Sequence, residues 1–134
     1  MSLNVEINSF SFKKGLPKDE SGNGGGFIFD CRGILNPGRF DRYKKLSGKD
    51  LPVQEFLLNE TLFPTFINAV KTVLKISLDD YVAREFSNLQ ISFGCTGGQH
   101  RSVFSAETIF KFIEENYPTI ELKINHLNQE NWVK

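Results

Sequence analysis

Apolar residues alternate loosely at the start of the chain, at Val5, Ile7, Phe10 and Phe12, and predict a strand over Asn4–Phe12. A loop follows from Gly15 to Gly26, with a glycine-rich tip at Ser21–Gly26. Phe27-Ile28-Phe29-Asp30-Cys31 is a short, mostly apolar run, the pattern of a buried strand. Residues 32–49 lack periodicity, and Asn36-Pro37-Gly38 marks a turn. Asp50 is placed to cap a short helix with Pro52 in its first turn and Val53, Phe56 and Leu57 inward. A longer helix is expected from about Leu62, with Leu62, Phe66, Val70, Val73, Ser77 and Tyr81 as its inner face. Leu89–Phe93 reads as a third strand. Val103, Ala106, Phe110 and Ile113 mark the inner face of a helix that starts near Arg101 and is broken by Pro118. Ile120, Leu122 and Ile124 share one face of a fourth strand.

Strands alternating with helices, without an internal repeat or a linker, predict one α/β domain over residues 4–134, a mixed four-stranded or slightly larger sheet flanked by helices. Residues 1–3 read as an expression remnant. In such folds ligands gather at the carboxyl ends of the strands. Two stretches fall there: Asp30-Cys31-Arg32 after the second strand, and Gly94–Ser102 after the third.

Composition narrows the classes. The 134 residues are 40% hydrophobic and include 13 phenylalanines, enough for a largely aromatic core. Sixteen basic and sixteen acidic residues cancel, so nucleic-acid binding has to come from a local patch. Arg39, Arg42, Lys44, Lys45 and Lys49, interleaved with Phe40 and Tyr43, form the one candidate. They are either an RNA surface or a solvated loop whose aromatics are tucked inward. No secretion signal or membrane-length apolar run is present, and two cysteines are too few for a disulfide framework. A cytoplasmic location without membrane attachment is expected. The two cysteines, His100 and His126 lack metal-ligand spacing, so neither a metal nor another cofactor is expected.

The chemistry concentrates in Gly94-Cys95-Thr96-Gly97-Gly98-Gln99-His100-Arg101-Ser102. A strand, a glycine turn and a helix N-terminus make an anion cradle, because the turn aims several N–H groups at one point and the helix end adds more. Thr96, His100, Arg101 and Ser102 can add side-chain donors, and phosphate is the natural guest. Cys95 and Arg101 also enclose five residues and are followed by Ser102, the C-x5-R spacing of cysteine-dependent phosphatases. In that alternative Cys95 is the nucleophile, Arg101 the phosphate fork and Ser102 the hydroxyl that helps the thiolate leave. Gly94 stands where those enzymes usually carry a histidine, and no carboxylate lies in a recognisable acid loop.

A longer pattern is more specific. Ser9-Phe10-Ser11-Phe12-Lys13-Lys14-Gly15-Leu16-Pro17, then Phe29-Asp30-Cys31-Arg32 leading to Asn36-Pro37, then Leu46-Ser47-Gly48-Lys49-Asp50 and Gly94–Val103 occur in an order and spacing that resemble the C-terminal domain of the RapZ family of RNase adapter proteins. The resemblance covers nearly the whole chain. It implies an α/β unit like a sugar-phosphate-binding part of phosphofructokinase, with a pocket for an amino-sugar phosphate such as glucosamine-6-phosphate. The matching positions are Asp30, Arg32, Asn36, Thr96, Gly97, Gly98, His100 and Arg101. The resemblance further implies RNA binding and contact with a ribonuclease and regulatory proteins, in line with a sensor or adaptor role; a separate ATPase chain and a second copy of this chain are further expected partners. The chain itself carries no G-x-x-x-x-G-K-[ST] phosphate loop.

Overall fold

The structure, a computed structural model, describes residues 2–134. Four strands, β1 (Asn4–Ser11), β2 (Gly26–Asp30), β3 (Asn88–Cys95) and β4 (Glu121–His126), form one sheet in the order β2-β3-β1-β4. Four α-helices accompany it: α1 (Asp41–Lys44), α2 (Leu51–Glu60), α3 (Phe63–Ala83) and α4 (Arg101–Asn116). Every strand pair is parallel, so the sheet is not mixed. The reason is connectivity: each strand returns to the same end of the sheet through a long crossover, and none through a hairpin. All four carboxyl ends therefore lie along one edge. Ser11 pairs with Cys95 there, and Asp30 with Gly94.

The sheet is two-faced, as alternation requires. Val5, Ile7, Leu89, Ile91 and Phe93 join Phe63, Leu74, Ile109 and Ile113 from α3 and α4 in the core. The opposite parity carries a polar ladder, in which Asn8 Nδ2 donates to Ser92 Oγ at 3.3 Å and Asn125 Nδ2 to Asn8 Oδ1 at 3.1 Å.

Three local expectations need correction. β2 is an edge strand paired only with β3, and Ile28 is exposed rather than buried. α3 turns Phe63, Ile67, Val70, Leu74 and Leu78 inward; apart from Val70, which the expected stripe includes, these stand one step from that stripe, and Leu62 and Val73 are exposed. Its apolar residues cover more than one face, so periodicity alone did not choose between them. Asp50 occupies the cap position of α2, but its carboxylate accepts Ser47 N–H at 2.7 Å instead of capping the helix. Leu3 is buried in the core, and its carbonyl accepts Glu121 N–H at 2.9 Å. Met1 lies outside the described residues. No helix among the described residues is long and apolar enough to cross a membrane.

Candidate functional site

The turn from Thr96 to His100 leaves the end of β3, passes Gly98 in the left-handed region (φ +63°) and enters α4. A side chain at 98 is strained by that φ, and its Cβ would press on Ser11 N at 3.0 Å. The carbonyls of the turn are all engaged. Ser11 Oγ donates to Thr96 O at 2.6 Å, Asn128 Nδ2 to Gly97 O at 2.8 Å, and Trp132 Nε1 to Gly98 O at 2.8 Å. Gly48 N donates to Gln99 O at 2.8 Å, and Phe104 N to His100 O at 3.1 Å. In a trans peptide the C=O and the following N–H point opposite ways. With the carbonyls held behind, the N–H groups of residues 97–101 face the other side. Those of Gly97 through Val103 meet no backbone acceptor among the described residues, and no side chain caps α4. They form an unfilled nest at the positive end of a 16-residue helix.

Arg101 sits in the first turn of α4 and is 4% exposed. Its Nη1 donates to Arg32 O at 3.0 Å and Ile34 O at 2.8 Å, tying the segment after β2 to the nest. Its Nε is buried without a partner among the described residues. Leaving such a donor unmet costs about 1–3 kcal/mol.

Two adjoining hollows flank this guanidinium. One, of about 300 Å³, is walled by Arg32, Ile34, Asn36, Arg39, Thr96 and Arg101. The other, of about 160 Å³, is walled by Asn36, Lys44, Cys95, Gly97, His100 and Arg101 among others. Arginine and lysine line them, and aspartate and glutamate do not. A third hollow, of about 290 Å³, lies at the amino ends of the strands, where Glu6, Asp19, Glu20 and Glu121 outnumber the single cation Lys123.

The expected site residues divide into groups. Asn36, Thr96, Gly97, His100 and Arg101 line the hollows, and Gly98 shapes the turn between them. Asn36 uses Oδ1 to accept Gly38 N–H at 2.9 Å, so its amide nitrogen stays available. Asp30 lines neither hollow, and both its oxygens are taken by Arg32, Nε at 2.9 Å and Nη2 at 2.8 Å. Arg32 holds the Asp30 carboxyl below its usual range. The same guanidinium lies 3.9 Å from the centroid of the Phe12 ring. Cys95 and Ser102 are buried and share an Sγ–Oγ hydrogen bond of 3.1 Å. Burial pushes the Cys31 thiol up to about 12, so it stays protonated. No group of three or more His, Cys, Asp or Glu among the described residues is placed to hold a metal ion.

His100 Nε2 lies 2.9 Å from Tyr43 O. A carbonyl only accepts, so Nε2 carries the proton and the neutral ring has Nδ1 free. Burial lowers the His100 pKa below 6.5, against the pull of the Tyr43 and Leu46 carbonyls, and the Arg101 charge adds to the lowering. Between the folded and unfolded pKa the unfolded chain binds more protons. The His100 contribution is thus complete above about pH 6.5 and lost as pH falls through the folded value. Urea unfolding is expected to show stability falling below pH 6.5, and His100→Gln, which keeps a donor at the same place, is expected to flatten that fall. An unchanged pH profile in the variant would contradict it.

Arg39, Arg42, Lys44, Lys45 and Lys49 are all exposed. Phe40 and Tyr43, however, pack on Phe56 with centroids 5.5 and 5.2 Å away, and are turned inward. Arg39 and Lys44 belong to the hollows rather than to a separate surface. His126 lines neither hollow. Its Nδ1 is 2.6 Å from Ser9 Oγ and its Nε2 2.8 Å from Glu107 Oε2. Ser11, Gly48 and Asn128 were not legible as site residues, since their partners lie 31 to 85 positions away or across a backbone contact with no motif.

The model of the RapZ C-terminal domain family matches residues 3–130. A nucleotide-binding protein of Endomicrobium trichonymphae is 36% identical over 124 residues, 92% of this chain and 41% of its own length. One from Thermosipho melanesiensis is 40% identical over 116 residues, 87% of this chain and 40% of its own. One from Bifidobacterium adolescentis is 32% identical over 130 residues, 97% of this chain and 40% of its own. The chain spans about two fifths of the length of these relatives. With a family model over nearly its whole length and the glycine turn intact, the chain belongs to the RapZ C-terminal domain family.

Proposed function

We propose that this domain binds a phosphorylated small molecule, an amino-sugar phosphate of the glucosamine-6-phosphate type, and serves as a sensor or adaptor rather than an enzyme. The carrying observation is the nest: N–H groups of residues 97–103 without backbone acceptors, beside a buried Arg101 with an unpartnered Nε. Arg32, Arg39 and Lys44 supply the surrounding positive charge, and the free amide of Asn36 suits a sugar hydroxyl. Asp30, bonded to Arg32 beside the hollow, can serve a sugar amine only if that pair opens.

Two observations favour binding over Cys95 phosphatase chemistry. The thiol is 2% exposed. A side chain at Gly94 would meet the Phe10 ring at 2.4 Å, leaving no room for the histidine those enzymes carry. Cys95→Ser is expected to keep ligand affinity within about threefold, whereas an essential nucleophile would also show turnover that the variant abolishes.

Calorimetry against glucosamine-6-phosphate, glucosamine, inorganic phosphate, fructose-6-phosphate and ATP tests the reading. Tightest binding of glucosamine-6-phosphate, with none of glucosamine, is expected. Equal affinity for free phosphate would mean an unspecific anion nest, and preference for ATP would move the nucleotide chemistry named in the relatives into this domain.

RNA is a second reading, carried by five exposed cations on residues 39–49. With Phe40 and Tyr43 turned inward, contacts would run to phosphates and not to stacked bases. Affinity should then fall steeply with salt. A ribonuclease, a regulatory protein or an ATPase chain as partner belongs to the same adaptor proposal.

A further inference from the structure

We infer that the C-terminal segment Leu127–Val133 is a strap that sets the anion affinity of the nest, with Asn128 and Trp132 as positioning residues; this rests on the nest being the phosphate site. Beyond β4, Leu127 N donates to Ser9 O at 2.9 Å, and a single 3-10 turn, Gln129–Asn131, folds the chain back toward the glycine turn. Asn131 Nδ2 donates to Asn128 Oδ1 at 2.9 Å and fixes the Asn128 amide so that its nitrogen faces Gly97 O. Trp132 packs on His126, with centroids 5.8 Å apart, and its indole N–H reaches Gly98 O. Gln99 closes the clasp from the other side: Val133 N donates to its Oε1 at 2.9 Å, and its Nε2 donates to Val133 O at 3.0 Å.

These bonds matter because Gly97 and Gly98 have no side chains to hold a peptide plane in one sense. A flipped plane would turn a carbonyl, with its partial negative charge, toward the anion. The Asn128 amide and the Trp132 indole N–H hold the planes with N–H outward. An anion on the N–H side polarises the same peptide groups and strengthens their carbonyl bonds on the strap side. The coupling is reciprocal: the strap raises anion affinity, and the anion tightens the strap by the same factor.

The test uses the full chain and glucosamine-6-phosphate, with inorganic phosphate as a second probe. Amide exchange of residues 127–133 is expected to slow by about fivefold or more at saturation, without any mutation. Calorimetry of Trp132→Phe, which keeps a ring but loses the donor, and of Asn128→Ala is expected to show about fivefold or weaker affinity. Leu127→Ala, at an exposed strap residue that donates only through its backbone, should bind like the unmodified chain. Binding by the unmodified chain with unchanged strap exchange and undiminished affinity in both variants would overturn the strap and leave the phosphate reading standing. No binding of either probe to the unmodified chain would overturn both together.

Discussion

Arg101→Met is expected to lower affinity for glucosamine-6-phosphate by about 100-fold and to destabilise the fold by about 2–3 kcal/mol. The binding loss follows from charge: a charge-assisted hydrogen bond contributes about 1.5–3 kcal/mol, and each 1.4 kcal/mol is tenfold in affinity. The stability loss follows from the two carbonyls, of Arg32 and Ile34, that Nη1 now satisfies. Both lie in the segment that walls the larger hollow, so the same substitution loosens the wall. Arg101→Lys separates the two roles, because it keeps the charge and loses the planar fork that reaches two carbonyls at once. It is expected to retain part of the affinity while losing stability. Calorimetry and urea unfolding on the same samples measure both; an Arg101→Met protein that binds like the unmodified chain would remove Arg101 from the site.

Gly48→Ala is expected to cost about 3 kcal/mol, or a fall of about 10 °C in Tm, although the residue lies in no strand or helix. A Cβ at 48 would stand 2.4 Å from His100 O and 2.5 Å from Phe104 N. Both are backbone atoms in the first turn of α4, so no side chain can swing away. The alanine therefore either lifts the Leu46–Lys49 segment off the helix or pushes the helix start out of place. The first breaks the Gly48 N to Gln99 O bond and the Gln99 Nε2 to Leu46 O bond of 2.8 Å. The second distorts the nest. Thermal unfolding followed by circular dichroism checks this, and a change of Tm under about 2 °C would show that the close approach is relieved without cost.

The polar-apolar pattern located the strands and the two long helices because each buries one face, and burial is what the pattern records. It could not give the strand order. Nor could it show that Phe27 and Phe29 sit on an edge strand, half-buried against β3, since a two-sided core and an aromatic edge read alike over five residues. At the cap of α3 and within it, Leu62, Val73 and Ile76 are as apolar as the buried Phe63, Leu74 and Leu78, so the phase of the helix was decided by packing against α4. The glycine turn was legible because its chemistry is local: Gly97, Gly98 and Arg101 lie within five positions. What holds the turn in its working sense was not. Ser11 at the end of β1, Gly48 in the crossover from β2 to β3, and Asn128 and Trp132 beyond β4 each engage a carbonyl, which any residue possesses and no motif marks. His100 illustrates the limit within the motif itself, since its Nε2 holds Tyr43 O and only the Nδ1 side of the ring remains for a ligand.

The most direct measurement is a titration of the isotope-labelled chain with glucosamine-6-phosphate, followed by amide and arginine side-chain resonances in NMR. The expected result is a set of shifts concentrated on the backbone N–H groups of Gly97 through Val103 and on Arg101 Nε–H, with saturation at one equivalent. Shifts confined to the acidic hollow near Glu6, Asp19 and Glu121, or binding that leaves the Gly97–Val103 amides unmoved, would contradict the assignment of the nest as the phosphate site.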